Sequence, residues 1–426
     1  MLTVQHSTPT ADPDMPGRVP HTSPWRLTML LLCCAVAACM PQPQQVASAP
    51  PPTPAPAPPP PQPLPFPQAV LSAANGVFSS VQLAPGAAVP QVTVIDPLVN
   101  GVTGEQTRAT QQIQAQITEL VRDRYPPFVI EPFSAATVSQ LPLVLIGTFT
   151  PTGTAVVPAG PKDAYRFCLI LANLRTGKVA AKKVAFARAS DVDAAPTRFF
   201  ADSPAWSPDP HIQAYIDACQ KSKVGDAINP VYLDGIVASA QVNQATVAYD
   251  AGRYRDALDL YQTAVVSPAG DQLRIYNGIY LSSERLGDRT QAERAFGNLV
   301  DYGLRHNRLG VKLLFQSGSA GFVTNSQVSG QYDMWLREIA DRAAKGTACL
   351  VVTGNTSATG LPALNDRLSL ARAEFVDRRL VEDAPSLAGR ITTKGVGSRN
   401  NLIGTGRDDA TDALDRRVEF AVAPAC

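Results

Sequence analysis

Histidine, charge and long apolar runs are all scarce in this chain, and each scarcity removes a class of function. Of 426 residues only four are histidine, and only His211 and His306 lie beyond the first forty positions. Neither stands in a spacing such as H-E-x-x-H, which would set two imidazoles on one helix face for a metal. No metal site is therefore expected. The sequence has no G-x-S-x-G elbow and no phosphate-cradling glycine loop, and Gly395-Val396-Gly397 lacks a dinucleotide-binding context. With no visible base, nucleophile or metal set, neither catalysis nor a cofactor is expected. Charged residues make up 17% of the chain and the formal net charge is +1. That balance, without a basic stripe, argues against a nucleic-acid partner. A membrane-spanning helix needs roughly 18 or more apolar residues, and residues 27–38 (LTMLLLCCAVAA) fall short of that.

What the chain has instead is proline: 38 in total, 14 of them between Pro41 and Pro67. Before them, Arg18 and Arg26 precede the short apolar run, which ends in small residues. A basic region, a short apolar core and small residues make an export signal, here over residues 1–38, with Met15 a tidier start than Met1. The run ends Val36-Ala37-Ala38-Cys39, which resembles a bacterial lipobox. The resemblance implies that Cys39 is lipidated and becomes the mature N-terminus, and several acyl chains hold a protein firmly on a bilayer. Met40, with no aspartate beside the anchor, resembles outer-membrane sorting. Proline fixes φ and removes donors, so residues 39–68 are expected to form an extended spacer with no core to join, about 80 Å long at ~3.1 Å per residue.

Residues 69–225 read as an α/β domain. Gln91 to Asp96 alternates and is β-branched, so it is a strand. Ile113, Ile117, Leu120 and Val121 fall at helical spacing within 107–124. LPLVLIGTF over 141–149 is a buried strand. Residues 165–174 and 178–187 flank Arg175-Thr176-Gly177, a hairpin turn. This strand, TGK turn, strand ending is similar to envelope lipoproteins of the curli-assembly and penicillin-binding-protein-activator type. Residues 229–308 read as helical. Gly252, Ala257 and Tyr261 return 35 residues later as Gly287, Ala292 and Phe296. This looks like the tetratricopeptide pattern. Two repeats are fewer than a self-supporting array needs, so they are expected to lean on a neighbour. They are either a peptide-binding groove or a helical connector.

Residues 309–426 alternate strand, helix, strand, helix, strand, strand, a compact βαβαββ sandwich. Its linking segment reads Gly354-Asn355-Thr356-Ser357-Ala358-Thr359-Gly360, then Asn365, then Leu368-Ser369-Leu370-Ala371-Arg372-Ala373. Lys394-Gly395-Val396-Gly397-Ser398 and Asp415-Arg416-Arg417-Val418-Glu419-Phe420 follow. These four submotifs, in this order, resemble the OmpA-like peptidoglycan-binding family. The resemblance implies peptidoglycan as partner, and specifically the diaminopimelate of its stem peptide. Diaminopimelate ends in a carboxylate beside an ammonium. Arg372 matches the family's carboxylate-binding arginine, a role suited to a guanidinium. The family commonly puts aspartate fifteen residues earlier, to hold the ammonium, and here that residue is Ser357. Thr356 and Arg417 belong to the same pattern, and Asn365 fixes the loop or touches the ligand.

Seven cysteines include three in the signal and lipobox. The periplasm is oxidising, so Cys168, Cys219, Cys349 and Cys426 form two disulfides, by sequence order 168–219 and 349–426, or remain small buried thiols. The expected whole is an α+β multidomain lipoprotein on the outer membrane, facing the periplasm, that tethers the envelope to its wall. In the alternative it regulates a wall synthase or secretion machine, with residues 69–308 as its protein-binding module.

Overall fold

The computed structural model describes residues 62–81, 90–153, 163–205, 208–323, 331–347, 349–402, 406, 410–423 and 426. All belong to one compact unit spanning Pro59–Cys426. The expected export signal over 1–38, the Cys39 anchor and the tract up to Pro61 lie outside the described residues. Among the described residues the fold is mixed, with eleven α-helices and two sheets, each containing parallel and antiparallel pairs.

The proline tract gives way to structure earlier than its composition predicts. Leu64 pairs in parallel with Ala187, and α1 (Phe66–Phe78) follows directly. Pro67 lies in the first turn, where a missing N–H costs no hydrogen bond. Phe66, Ala69, Val70, Ala73 and Val77 then bury one helical stripe. Residues 64–68, expected as spacer, thus belong to the fold.

The first sheet follows the order β3 (Phe128–Glu131), β1 (Gln91–Ile95), β4 (Leu143–Thr152), β5 (Ala164–Asn173), β6 (Lys178–Arg188), and the short β2 (Val99–Asn100) pairs with β4. β3, β1 and β4 run parallel, while β4, β5 and β6 run antiparallel. Between β2 and β3 lies α2 (Arg108–Arg124), started by a Thr107–Thr110 capping box. The short α3 (Ala135–Val138) precedes β4. The β5–β6 turn works as its residues suggest: Asn173 Oδ1 accepts from Arg175 N (2.9 Å) and Thr176 N (3.1 Å), and Gly177 takes φ +65°. One face of the sheet is covered by α1 and α2. The other is covered by α5 (Pro210–Gln220) and the start of α6 (Pro230–Asp250). Cys168 on β5 and Cys219 on α5 are joined, with Cα atoms 5.9 Å apart.

After α4 (Arg198–Asp202) and α5, two helical hairpins follow: α6 with α7 (Tyr254–Val265), and α8 (Leu273–Leu286) with α9 (Arg289–Arg305). The recurring Gly252 and Gly287 turn each hairpin with φ +76° and +78°, a left-handed backbone that a side chain resists. A Cβ on Gly278 would meet the Tyr261 ring at 2.3 Å, so small residues do set the α7–α8 approach. The hairpins lean on both neighbours. At one end Phe199 on α4 meets Tyr249 and Tyr261. At the other, α10 (Tyr332–Lys345) brings Trp335 into a stack on Phe296 (5.4 Å), and its Nε1 donates to Tyr280 Oη at 2.9 Å.

The second sheet runs β7 (Arg308–Leu314), β10 (Arg417–Ala423), β8 (Cys349–Gly354), β9 (Ile391–Gly395). α10 and α11 (Pro362–Asp383) pack on it and on each other. Cys349 and Cys426 are joined, with Cα atoms 5.3 Å apart. The outer edge of β7 is covered by the chain after α4: Lys312 N donates to Pro204 O (2.6 Å), and Ala205 bridges Val311. That cover removes an open sheet edge. Beside it Lys312 Nζ donates to Glu105 Oε1 (2.7 Å) and Phe200 O (2.9 Å), with both side chains almost fully buried. This ion pair ties the second sheet to the first.

Removing one partner of a buried pair strands the other charge, so Lys312→Ala and Glu105→Ala should each lower urea-unfolding stability by about 3–5 kcal/mol. The apolar double replacement Lys312→Met/Glu105→Leu should restore most of it. Single variants with wild-type stability would show that the pair is not a structural tie.

Candidate functional site

The four sequence submotifs converge at one end of the second sheet, and glycines make the convergence possible. β8 ends at Gly354, where a Cβ would lie 1.8 Å from Ser369 O of α11. A Cβ on Gly395, at the end of β9, would lie 2.5 Å from Leu370 N. Gly397 has φ +55°. Backbone therefore meets backbone directly. Hydrogen bonds fix the contact: Thr356 N donates to Gly397 O (3.0 Å), Gly397 N to Ser369 Oγ (2.9 Å), and Asn355 N to Arg417 O (2.9 Å). The Asn401 amide, with its nitrogen toward the carbonyls, donates to Thr356 O (2.8 Å) and accepts from Ala358 N (3.2 Å).

Against this frame lies a cleft of about 660 Å³ between the loop after β7, the loop after β8 and the first turns of α11. That is the size range of pockets that hold small organic ligands. Thr356, Ser357, Asn365 and Arg372 all line it. Asn365 Nδ2 donates to Thr359 O (3.0 Å), so the amide fixes the loop. Ser357 Oγ lies 3.2 Å from Thr359 Oγ1. Thr356 is 2% exposed, and its Oγ1 has no hydrogen-bond partner among the described residues. A buried hydroxyl without a partner costs free energy.

Two expected site residues are buried in the frame around the cleft. Arg372 is fully buried, and its guanidinium faces main chain rather than the cleft mouth. Nε donates to Ser319 O (2.9 Å), Nη1 to Asn355 O (2.8 Å) and Nη2 to Gln316 O (2.8 Å), while the group lies 5.3 Å over the Phe315 ring. Its geometry is that of a residue that positions the cleft walls. Arg417 is 1% exposed and not a lining residue. It donates to Leu414 O (3.1 Å) and Asn400 O (3.2 Å) and pairs with Glu419, and burial pushes its pKa down. It braces the loop before β10. Sequence reasoning missed Arg367 and Arg416, which also line the cleft. Arg367 was legible: Leu364, Arg367, Leu368 and Ala371 form one helical stripe.

A second polar cluster lies where α5, α6 and α8 meet the carboxyl end of β1, the place where open parallel sheets bind ligands. Burial pushes the Asp96 carboxyl up from 3.8 to about 7, although Tyr232 Oη donates to it at 2.8 Å and Arg274 opposes the shift. Burial likewise pushes His211 down, and its Nε2 lies 2.5 Å from Ser239 Oγ. The cavities here measure about 10 and 30 Å³. They have room for water and not for a substrate. Among the described residues no group of His, Cys, Asp and Glu could hold a metal.

The helical segment, read from sequence as either a groove or a connector, is crossed by the chain itself, beside a cavity of about 210 Å³ lined by Asp202, Tyr280, Arg285 and Trp335. α4 lies across α6 and α8. Phe199 N donates to Asp250 Oδ1 (2.7 Å), Tyr249 Oη to Asp202 Oδ2 (2.8 Å), and Arg285 pairs with Asp202.

Arg372→Ala would empty a fully buried site and leave the Asn355 carbonyl without its buried donor, and unfolding in urea should show a loss on the order of 3 kcal/mol. Arg367→Gln, on the exposed stripe, should stay within about 0.5 kcal/mol of wild type. Equal stability of the two variants would overturn the division of roles. For Asp96 the sign follows from its raised pKa. Between about pH 4 and 7 the folded chain holds a proton that the unfolded chain has lost. Stability therefore falls as pH rises through that window, by on the order of 4 kcal/mol in all. The difference in unfolding free energy between wild type and Asp96→Asn should grow from pH 4 to pH 8. A pH-independent difference would contradict the burial of an ionisable group there.

No protein family profile and no curated protein sequence matches the chain. Solved structures match about a quarter of it. The peptidoglycan-associated lipoprotein from Burkholderia pseudomallei is 23% identical over 26% of this chain and 89% of its own, with a TM-score of 0.23. The cell wall anchor of the T6SS from Pseudomonas aeruginosa is 29% identical over 26% of this chain and 77% of its own, with a TM-score of 0.21. The C-terminal domain of Helicobacter pylori MotB is 18% identical over 27% of this chain and 85% of its own, with a TM-score of 0.23. The likeness is to part of the chain, and at these scores it does not define the whole.

Proposed function

We propose that the C-terminal domain is an OmpA-like module that binds peptidoglycan non-covalently, and that the chain is an outer-membrane lipoprotein facing the periplasm, held by Cys39 and tethering membrane to wall. The observation that carries the reading is the convergence of four separated submotifs at one end of the second sheet, beside a ligand-sized cleft that the first two and Arg416 line. The cysteine pairs at 168–219 and 349–426 fit an oxidising compartment. The protein acts by binding and not by catalysis: its most perturbed acid, Asp96, opens only onto water-sized space. In the alternative, a regulator or assembly factor engages partners through residues 69–308, where α4 covers part of the hairpins' face.

Co-sedimentation with isolated sacculi tests the reading. The wild-type chain should pellet with sacculi in a saturable way. Ala371→Trp, which fills the cleft from the half-exposed face of α11, should reduce the bound fraction about tenfold with an unchanged melting temperature. Equal sedimentation of a folded Ala371→Trp would remove the cleft from wall binding.

A further inference from the structure

We propose that the open edge of β6, from Lys182 to Phe186, is a docking site for one extended, acidic segment of a partner protein, which adds to the first sheet as a further strand. This surface lies on the first sheet, apart from the cleft, and would serve whether or not the cleft holds peptidoglycan.

β6 is the last strand of its sheet, and its edge is already paired at both ends. Leu64 N donates to Phe186 O (2.8 Å) and Arg188 N to Leu64 O (3.0 Å), a parallel rung. At the other end Val179 N donates to Asp226 O (3.0 Å) and Gly225 N to Val179 O (2.9 Å), beside the antiparallel bridge of Lys178 with Ala227. The edge therefore accepts strands of either direction. On β5, Arg166, Cys168 and Ile170 stand opposite Phe186, Val184 and Lys182. Phe186 O and Arg188 N point outward. The two-residue period of an antiparallel pair then turns the N–H and C=O of Lys182 and Val184 outward as well. Among the described residues no hydrogen bond from outside the strand pair meets them. An unpaired edge usually carries a charge or a bulge that blocks it. Here both lysines are folded away. Lys182 Nζ donates to Ser222 O, and the Lys183 stem lies on α1, where a Cβ on Gly76 would come within 2.6 Å of its Cγ. Val184, beside them, is 38% exposed.

Charge selects the occupant. An added strand lays every second side chain on the α5 face of the sheet, beside Lys182, Val184 and Phe186. Arg166 lies on that face, one strand further in. It is half-buried, it makes no hydrogen bond or ion pair among the described residues, and burial pushes its pKa down. Burial, and then the nearby Arg166, push the Lys182 ammonium down in turn, with Asp226 opposing. Two desolvated cations that repel each other are both stabilised by a carboxylate placed between them. Asp226 is held in its own loop, where it accepts from Lys223 N at 2.7 Å. Residues 154–162, which join β4 to β5, carry one lysine and no acid. A second copy of this chain would set like charges edge to edge, which destabilises a strand pair. The proline tract fits no better. Gln62, two residues before Leu64, makes no hydrogen bond to β6 among the described residues, and the four prolines from Pro58 to Pro61 have no N–H to give.

Fluorescence anisotropy on the full chain tests this with labelled peptides: one alternating Glu and Val, one alternating Lys and Val, and the first with its backbone amides N-methylated. The wild type should bind the acidic peptide saturably, and about tenfold more tightly than either of the others. Arg166→Gln, with an unchanged melting temperature, should weaken the acidic peptide by about fivefold. Val184→Pro removes an outward N–H that the ladder does not use, and it should weaken the same peptide by about tenfold. Should Val184→Pro fail to fold, the methylated peptide reads the same backbone pairing. No saturable binding of the acidic peptide, equal binding of the methylated one, or unchanged binding in Arg166→Gln would overturn the proposal. A wild-type dimer that Val184→Pro makes monomeric would give the edge to a second copy and overturn it too. None of these outcomes bears on the cleft, which is tested by sacculus binding.

Discussion

One buried charge holds the candidate site together. The Arg372 guanidinium leaves water completely, a costly step for any ion, and the cost is offset by hydrogen bonds to the main-chain carbonyls of residues 316, 319 and 355. Those carbonyls come from the loop after β7 and the loop after β8, and the guanidinium comes from α11. The three walls of the cleft are thus joined at one point. The glycines act in concert with it: Gly354 and Gly395 let the strand ends touch the α11 backbone, which brings the arginine beneath both loops.

The same economy joins the rest of the chain. Two helical hairpins cannot bury their own faces, and here α4 and α10 cover the two ends, so one apolar core runs from Phe199 through the hairpins to Phe420. The Lys312–Glu105 pair and the cover on the β7 edge connect the second sheet back to the first. Among the described residues, the chain beyond the proline tract is therefore one continuously packed unit.

Periodicity and turn chemistry made much of this legible. The alternation in 91–96, the Thr-Gly turn at 176–177, the recurring glycines at 252 and 287 and the Gly354-to-Arg372 pattern each state a local requirement, and a local requirement is visible in sequence. The parts that were not legible depend on tertiary context. Pro67 reads as spacer by composition, yet proline is tolerated in a first helical turn, and only the apolar stripe after it marks α1. Arg372 was placed correctly at the cleft, but which way a guanidinium faces depends on carbonyls more than fifty residues earlier. The α4 segment is five residues long, too short to announce itself, and its place across α6 and α8 rests on contacts such as Phe199 with Tyr249 and Tyr261. Asp96 ends a strand like many aspartates, and nothing local says that two tyrosines and α6 will close over it.

The central claim is that a stem peptide enters the cleft between the loops after β7 and β8 and the start of α11. Hydrogen exchange on the full chain, with and without soluble stem peptides released from sacculi, reads this most directly. The account predicts slowed exchange confined to residues 316–319 and 354–372, with the α6–α9 amides unchanged. Binding accompanied by unchanged exchange in those two segments, or by protection over α6–α9 instead, would contradict it.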